Sequence, residues 1–302
     1  MRPRRRPVTR PKQRTAQAKK SQQTGDDGDG VVNLDDPEAV AAAYEEYRKA
    51  LISQQLYPGG APIVVEATRR KHSATLIFLH GIFNAVEEWK RLLTVTRARP
   101  GHIRIVILQA PKITARWYMG PKDPSWFKVK DYGKGKTPVE DEASLKEAAT
   151  LMHGVIGEES ARVPLSRIVL AGFGQGAALA LYAGLSYTNT LAGILALSGW
   201  LPFADKIGSW CSAESHGTPI LQCHGGKDDV IPPDKGKLSY DALIANCPGS
   251  ANHLELRIYP DVGHHLSLFE LHDIRQWLEK RIPVALPHTR TRKATHTRAS
   301  RP

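Results

Sequence analysis

The sequence predicts an α/β fold built on a doubly wound, mostly parallel sheet, in a single domain with a basic tail at each end. Three observations predict it. Strand-like runs alternate with helical stretches from residue 62 to 282, the order that places helices over a parallel sheet. Several of the runs, such as Leu76-Ile77-Phe78-Leu79 and Ile194-Leu195-Ala196-Leu197, are apolar at every position, which fits strands covered on both faces. The charge is segregated: residues 1–20 hold nine Lys/Arg and no acid, residues 283–302 hold five and no acid, and residues 21–282 balance 28 bases against 30 acids. The net charge of +12 therefore belongs to the two tails.

In chain order, residues 1–34 read as an unstructured basic and then Gly/Asp-rich tail. Asp35-Asp36-Pro37 opens a helix to about Leu56, with acids at its positive end and Pro in its first turn. Val40, Ala43, Tyr44, Tyr47 and Leu51 give that helix one apolar face. Tyr57-Pro58-Gly59-Gly60 ends it, so 35–60 is a helical extension. The domain proper, 61–282, carries strands expected at 63–67, 74–79, 103–109, 167–171, 191–197, 220–223 and 254–259. Helices are expected near 85–95, 139–159, 175–187, 234–246 and 267–282. After Ile282-Pro283 the chain becomes a second unstructured basic tail.

Composition sets limits on function. No apolar run reaches the ~18 residues that span a bilayer. The N-terminus lacks the apolar core of a secretory signal. It is Arg-rich and acid-free, as transit peptides are, but Pro3, Pro7 and Pro11 interrupt the helix such peptides form. Cys211, Cys223 and Cys247 show neither paired spacing nor a zinc pattern, so no metal or cofactor is expected and a reducing compartment is. A cytoplasmic protein is the expectation, with organelle targeting by the Arg-rich N-terminus left open. The tails suit an anionic membrane surface, where each Lys/Arg contributes ~1 kcal/mol. They also suit a solubilising or targeting role, and nucleic acid is the less favoured partner.

Ligands of such sheets bind beyond the carboxyl ends of the strands. Leu76–Leu79 leads into His80-Gly81-Ile82, where a freed N–H after the glycine could form half of an oxyanion hole; a plain turn is the other reading. Ile168–Ala171 leads into Gly172-Phe173-Gly174-Gln175-Gly176 and then a helix, the setting of the nucleophile elbow G-x-S-x-G. The central residue there should bear a nucleophile and is Gly174. Gly172-x-Gly174-x-x-Ala177 also fits a dinucleotide fingerprint, but the acid required ~20 residues on is missing, since none lies between Glu159 and Asp205. Past Ile220–Cys223 stands Asp228, and past Leu254–Tyr259 stands His264. Elbow, acid and histidine follow the chain order of α/β-hydrolases.

Together these residues resemble the acyl-protein thioesterase family, also called the phospholipase/carboxylesterase family, over roughly residues 61–282. The likeness is carried by His80-Gly81-Ile82, Gln109-Ala110-Pro111, Pro124-Ser125-Trp126-Phe127, Ala171–Gly176, Ala196-Leu197-Ser198-Gly199-Trp200-Leu201-Pro202, Gln222-Cys223-His224-Gly225 with Asp228, Val230-Ile231-Pro232, and Tyr259 five residues before His264. The resemblance implies an α/β-hydrolase fold and hydrolysis of long-chain acyl thioesters on protein cysteines, of lysophospholipids and of small esters, without a cofactor. It implies Asp228 as triad acid, His264 as triad base, and the N–H groups of Ile82 and Gln175 as the oxyanion hole. It implies an apolar acyl channel, for which Trp117, Tyr118 and Trp126 are candidates. This chain departs from the family pattern at Gly174, where the serine is lost, and at Lys128, where an acid follows Trp-Phe. The expectation is an ester or thioester hydrolase impaired by Gly174. The alternative is an acyl-binding or partner-binding pseudoenzyme, brought to membranes by its tails.

Overall fold

The computed structural model describes residues 56–68, 72–82, 86–95, 100–113, 123–130, 138–247 and 252–285. All of them lie in one compact unit, Lys49–Pro302. The helix expected over 35–56 (Leu56 excepted), the first tail, the second tail beyond residue 285, and Trp117 and Tyr118 fall outside the described residues.

The elements follow the expected alternation. In chain order they are β1 (Ile63–Val65), β2 (Ala74–Leu79), α1 (Val86–Val95), β3 (Ile103–Leu108), β4 (Lys112–Ile113), β5 (Asp123–Pro124), β6 (Val129–Lys130) and β7 (Val139–Glu140). There follow α2 (Glu142–Ser160), β8 (Ile168–Phe173), α3 (Gln175–Leu185), β9 (Gly193–Leu197), α4 (Ile207–Trp210), β10 (Ile220–Gly225), α5 (Pro233–Asn246), β11 (Leu254–Tyr259) and α6 (Leu268–Arg281). Seven strands form one sheet in the order β1-β3-β2-β8-β9-β10-β11. All its pairs are parallel except β1 with β3. This is the α/β-hydrolase fold in its doubly wound, mostly parallel form.

The continuous apolar runs behave as expected. In β2, Ile77 and Leu79 pack on the face covered by α2, α3 and α5, while Leu76 and Phe78 pack on the face covered by α1 and α6. Every residue of β2, β8, β9 and β10 is buried. α3 is buried along its whole length, which explains its Ala-rich, nearly uncharged sequence: a helix apolar all round belongs in the interior. α6 is a surface helix. It is anchored by a capping box, with Ser267 Oγ accepting from Glu270 N–H and the Glu270 carboxylate accepting from Ser267 N–H.

Several element bounds differ from the sequence reading: β1 ends at Val65, β9 begins at Gly193 and α3 ends at Leu185. α2 begins at Glu142 and not at 139, because Val139–Glu140 pair with β6 and Asp141 caps the helix through Ser144 N–H at 2.9 Å. β8 and β10 run two residues further, to Phe173 and Gly225, so the chemistry-bearing turns begin directly at the strand ends. The chain order reverses between β2 and β8. That switch point opens the crevice in which such folds bind ligands.

Candidate active site

β2 and β8 bring two turns side by side at the switch point. β8 ends at Phe173, Gly174 makes the turn, and α3 starts at Gln175. Gly174 has φ 56° and ψ −118°, and its carbonyl starts α3 by accepting from Ala177 and Ala178 N–H at 3.1 Å. This is the sharp strand-to-helix turn of an elbow. Gly172 and Gly176 make it possible by contact. A Cβ on Gly172 would overlap the Gly176 carbonyl, and one on Gly176 would overlap the Leu79 carbonyl. The helix thus packs hard against β2, and only glycine fits at both positions.

Gly174 itself is different. A Cβ built there would make only ordinary van der Waals contacts, with His264 Nε2 nearest at 3.5 Å, then Gly81 Cα and His264 Cε1 at 3.7 Å. The direction in which a side chain would point is therefore toward His264, across the Gly81 turn. His264 stands after β11 and Asp228 after β10, and parallel pairing of these strands sets them together. His264 Nδ1 donates to Asp228 Oδ2 at 2.7 Å. A carboxylate accepts only, so the proton sits on Nδ1 and the Nε2 lone pair faces Gly174. The Asp228 side chain is fully buried. Its other oxygen accepts from Val230 N–H at 3.0 Å and Ile231 N–H at 2.8 Å. The Phe173 ring lies 4.6 Å from the His264 ring, centroid to centroid, and fixes its plane.

His224 supports the acid from beneath. Its Nε2–H donates to the Ile231 carbonyl at 2.8 Å, closing the loop that holds Asp228, and lies 3.6 Å from Asp228 Oδ2. Burial lowers its pKa and keeps it neutral. Gly236 is required beneath it, since a Cβ there would press on His224 Nδ1.

On the opposite side, His80 and Gln175 form a lattice that the sequence alone does not disclose. Ala110 N–H donates to His80 Nε2 at 3.0 Å, so Nδ1 carries the proton and donates to the Gly81 carbonyl at 2.7 Å. Burial lowers the His80 pKa as well. The Gln175 side chain accepts from Trp126 N–H at 2.9 Å and Ser125 Oγ at 3.1 Å, and donates to the Phe127 carbonyl at 2.7 Å. Trp126 Nε1 donates to the His80 carbonyl at 2.7 Å. Trp126, expected in a substrate channel, is buried and joins the two turns. Its indole also lines an apolar pocket with Leu56, Leu108, Pro111, Leu151 and Met152. Ile82 follows the Gly81 turn and is half-buried. The Gln175 N–H opens α3, where helical N–H groups have no partner within the helix.

A histidine whose Nε2 faces a strand-to-helix turn, with a buried carboxylate bonded behind it, is the kind of pairing that acyl-transfer chemistry uses. Residues 61–282 match the model of the phospholipase/carboxylesterase family. The chain belongs to that family. It is 34% identical over 239 residues to acyl-protein thioesterase 1 of Gibberella zeae, covering 74% of this chain and 96% of the relative. It is 32% identical to acyl-protein thioesterase 1 of Yarrowia lipolytica, covering 73% and 97%. Among solved structures it is similar to acyl-protein thioesterase 2 of Zea mays, with a TM-score of 0.65, 27% identity, and coverage of 74% and 99%. Membership gives the architecture. It does not supply a side chain at residue 174.

Proposed function

We propose that this chain keeps the acyl-binding and proton-handling frame of a thioesterase/carboxylesterase but hydrolyses acyl thioesters and esters poorly, because Gly174 occupies the nucleophile's position. One observation carries the reading: the Cβ direction of Gly174 meets His264 Nε2 at 3.5 Å, with Asp228 bonded behind the ring. A serine there would set its Oγ within reach of the base. In this reading His264 is the base, Asp228 orients it and stabilises its charged form, and the N–H groups of Ile82 and Gln175 receive the oxyanion.

The chemistry sets the scale of the loss. Serine attack divides hydrolysis into acylation and deacylation. Removing the nucleophile of such a triad costs on the order of 10⁶ in turnover. Binding and the oxyanion hole still leave roughly 10³–10⁴ over water. What remains here is direct attack by water with His264 as base. The ligand of the retained frame is a long-chain acyl thioester, ester or fatty acid, and S-acylated proteins are the macromolecular partners.

The test is hydrolysis of a long-chain acyl thioester by the native protein and by Gly174→Ser, side by side. The expected outcome is a gain of about 10³-fold or more in kcat/KM for the variant. Equal rates would place the nucleophile elsewhere and overturn the reading.

A further inference from the structure

Far from Gly174, three segments distant in sequence meet. α3 starts at the elbow and runs 11 residues, about 16 Å at 1.5 Å per residue, to Leu185. There the Leu185 carbonyl accepts from Ser212 N–H at 2.8 Å and from Ser215 Oγ at 2.6 Å. This pins the loop after α4 beneath the end of α5. Cys211 caps α4, its N–H donating to Ile207 O at 2.9 Å. Cys247 caps α5, its N–H donating to Leu243 O at 2.9 Å. His216 caps the single 3-10 turn Ala213–Ser215.

The side chains of these three caps converge. The Cys211 and Cys247 sulfurs lie 3.4 Å apart. One donor atom from each of Cys211, His216 and Cys247 lies within 4.8 Å of the other two. The two sulfurs are within hydrogen-bond distance of each other, and the Cys211 sulfur also lies 3.8 Å from Ser215 Oγ. Cys247 is buried, while Cys211 and His216 are half-buried, so the cluster is reached from solvent on one side.

A tetrahedral zinc ion, at about 2.3 Å from sulfur and about 2.0 Å from nitrogen, sets its donors about 3.5–3.8 Å apart. The observed spacing needs only small shifts to meet that. A disulfide would draw the sulfurs to about 2.05 Å and leave the imidazole without a role. Two thiolates and an imidazole are a soft donor set that favours Zn²⁺ over Mg²⁺ or Ca²⁺. Cap hydrogen bonds fix all three backbones before any ion arrives.

We infer that Cys211, His216 and Cys247 form a zinc-binding site that ties the 211–216 loop to the end of α5. The fourth position is open to water or to a donor from another molecule. Binding releases the remaining thiol protons to solvent. The site is independent of the acyl-transfer frame and remains whether or not position 174 bears a nucleophile. Sequence spacing conceals it, because Cys211 and Cys247 stand 36 residues apart on elements that only the fold brings together.

The experiment is a Co²⁺ titration of the full-length chain, reduced with a phosphine, followed by displacement with Zn²⁺ against a chromophoric chelator. The expected result is one ion per chain, with a thiolate-to-cobalt charge-transfer band and the visible bands of tetrahedral cobalt. Cys211→Ser, His216→Ala and Cys247→Ser should each weaken binding at least about tenfold, while Cys223→Ala leaves it unchanged. Zn²⁺ should raise the Tm of the native chain and not that of Cys211→Ser, a half-buried position whose substitution is checked for folding by circular dichroism. The inference is overturned if the folded native chain gives no charge-transfer band. It is equally overturned if folded Cys211→Ser binds Co²⁺ as tightly as the native chain, or if reduced Cys211 and Cys247 bind no metal and simply form a disulfide on oxidation.

Discussion

The three glycines of the elbow look alike in sequence and are opposite in physics. Gly172 and Gly176 are glycine because backbone atoms occupy the places where their Cβ atoms would be. At Gly174 a Cβ would meet only ordinary van der Waals contacts, and its φ of 56° is what disfavours a side chain. The outer pair builds the turn, and the central position is where a side chain would meet the histidine. In the proposed reading the turn keeps the glycines its packing needs, and its centre has no side chain for attack. A residue in such a backbone conformation stores ~1–3 kcal/mol of strain when it carries a Cβ, so glycine at 174 relaxes the turn.

This contrast can be broken by substitution, beginning with the largest effect. Gly172→Ala or Gly176→Ala should cost about 3 kcal/mol or more, since backbone and not a flexible side chain must yield. Chemical denaturation of each variant measures it, and a loss below about 1 kcal/mol would remove the distinction. Gln175→Ala should cost about 1–3 kcal/mol by leaving Trp126 N–H without a partner, while the Phe127 carbonyl keeps the Ser125 hydroxyl at 2.9 Å. Loosening of the 125–127 loop should show in hydrogen exchange at Trp126.

Gly174→Ala should cost only about 1–2 kcal/mol, from backbone strain alone. It should gain no activity, which separates the steric from the chemical effect of Gly174→Ser. If Gly174→Ala proves as damaging as Gly172→Ala, the position is closed after all.

A pH-dependent effect lies at Glu270, in the cap of α6. Its carboxyl is fully buried, with one oxygen lacking a partner. Burial raises its pKa from the ordinary 4.5 to about 7, partly offset by the Ser267 N–H. The folded state therefore holds this proton more tightly than the unfolded chain does. Its contribution is fully present below about pH 4.5 and is lost as pH rises through 7. Glu270→Gln should flatten that part of the stability profile between about pH 4.5 and pH 8. An unchanged profile would show that Glu270 ionises freely in place.

Much of this was legible in the sequence, for physical reasons. Strands covered on both faces must be continuously apolar, so β2 and β9 announced themselves. A strand-to-helix turn with packed glycines has few sequence solutions, so the elbow was recognisable although its centre is Gly174. Asp228 and His264 were readable from their places after β10 and β11, and the structure brings them to 2.7 Å. What was not legible depends on contacts between distant segments. The Gln175 amide reads as an ordinary helix-start residue until the 125–127 loop, nearly fifty residues away, arrives to use it. The strand pairs β4–β5 and β6–β7 are two residues long, too short to carry a period. The 139–140 segment was absorbed into the following helix because an isolated Val-Glu carries no strand signal. The cysteine and histidine cluster lacks the spacing of a local metal motif for the same reason.

The most direct test of the central claim is labelling with a fluorophosphonate, which reacts only with a serine activated by a base and an oxyanion hole. The account predicts that the native chain is not labelled, and that Gly174→Ser is labelled on the peptide holding residue 174, with labelling abolished by a further His264→Ala. Labelling of the native chain at any serine, or a folded Gly174→Ser that stays unlabelled, would contradict it.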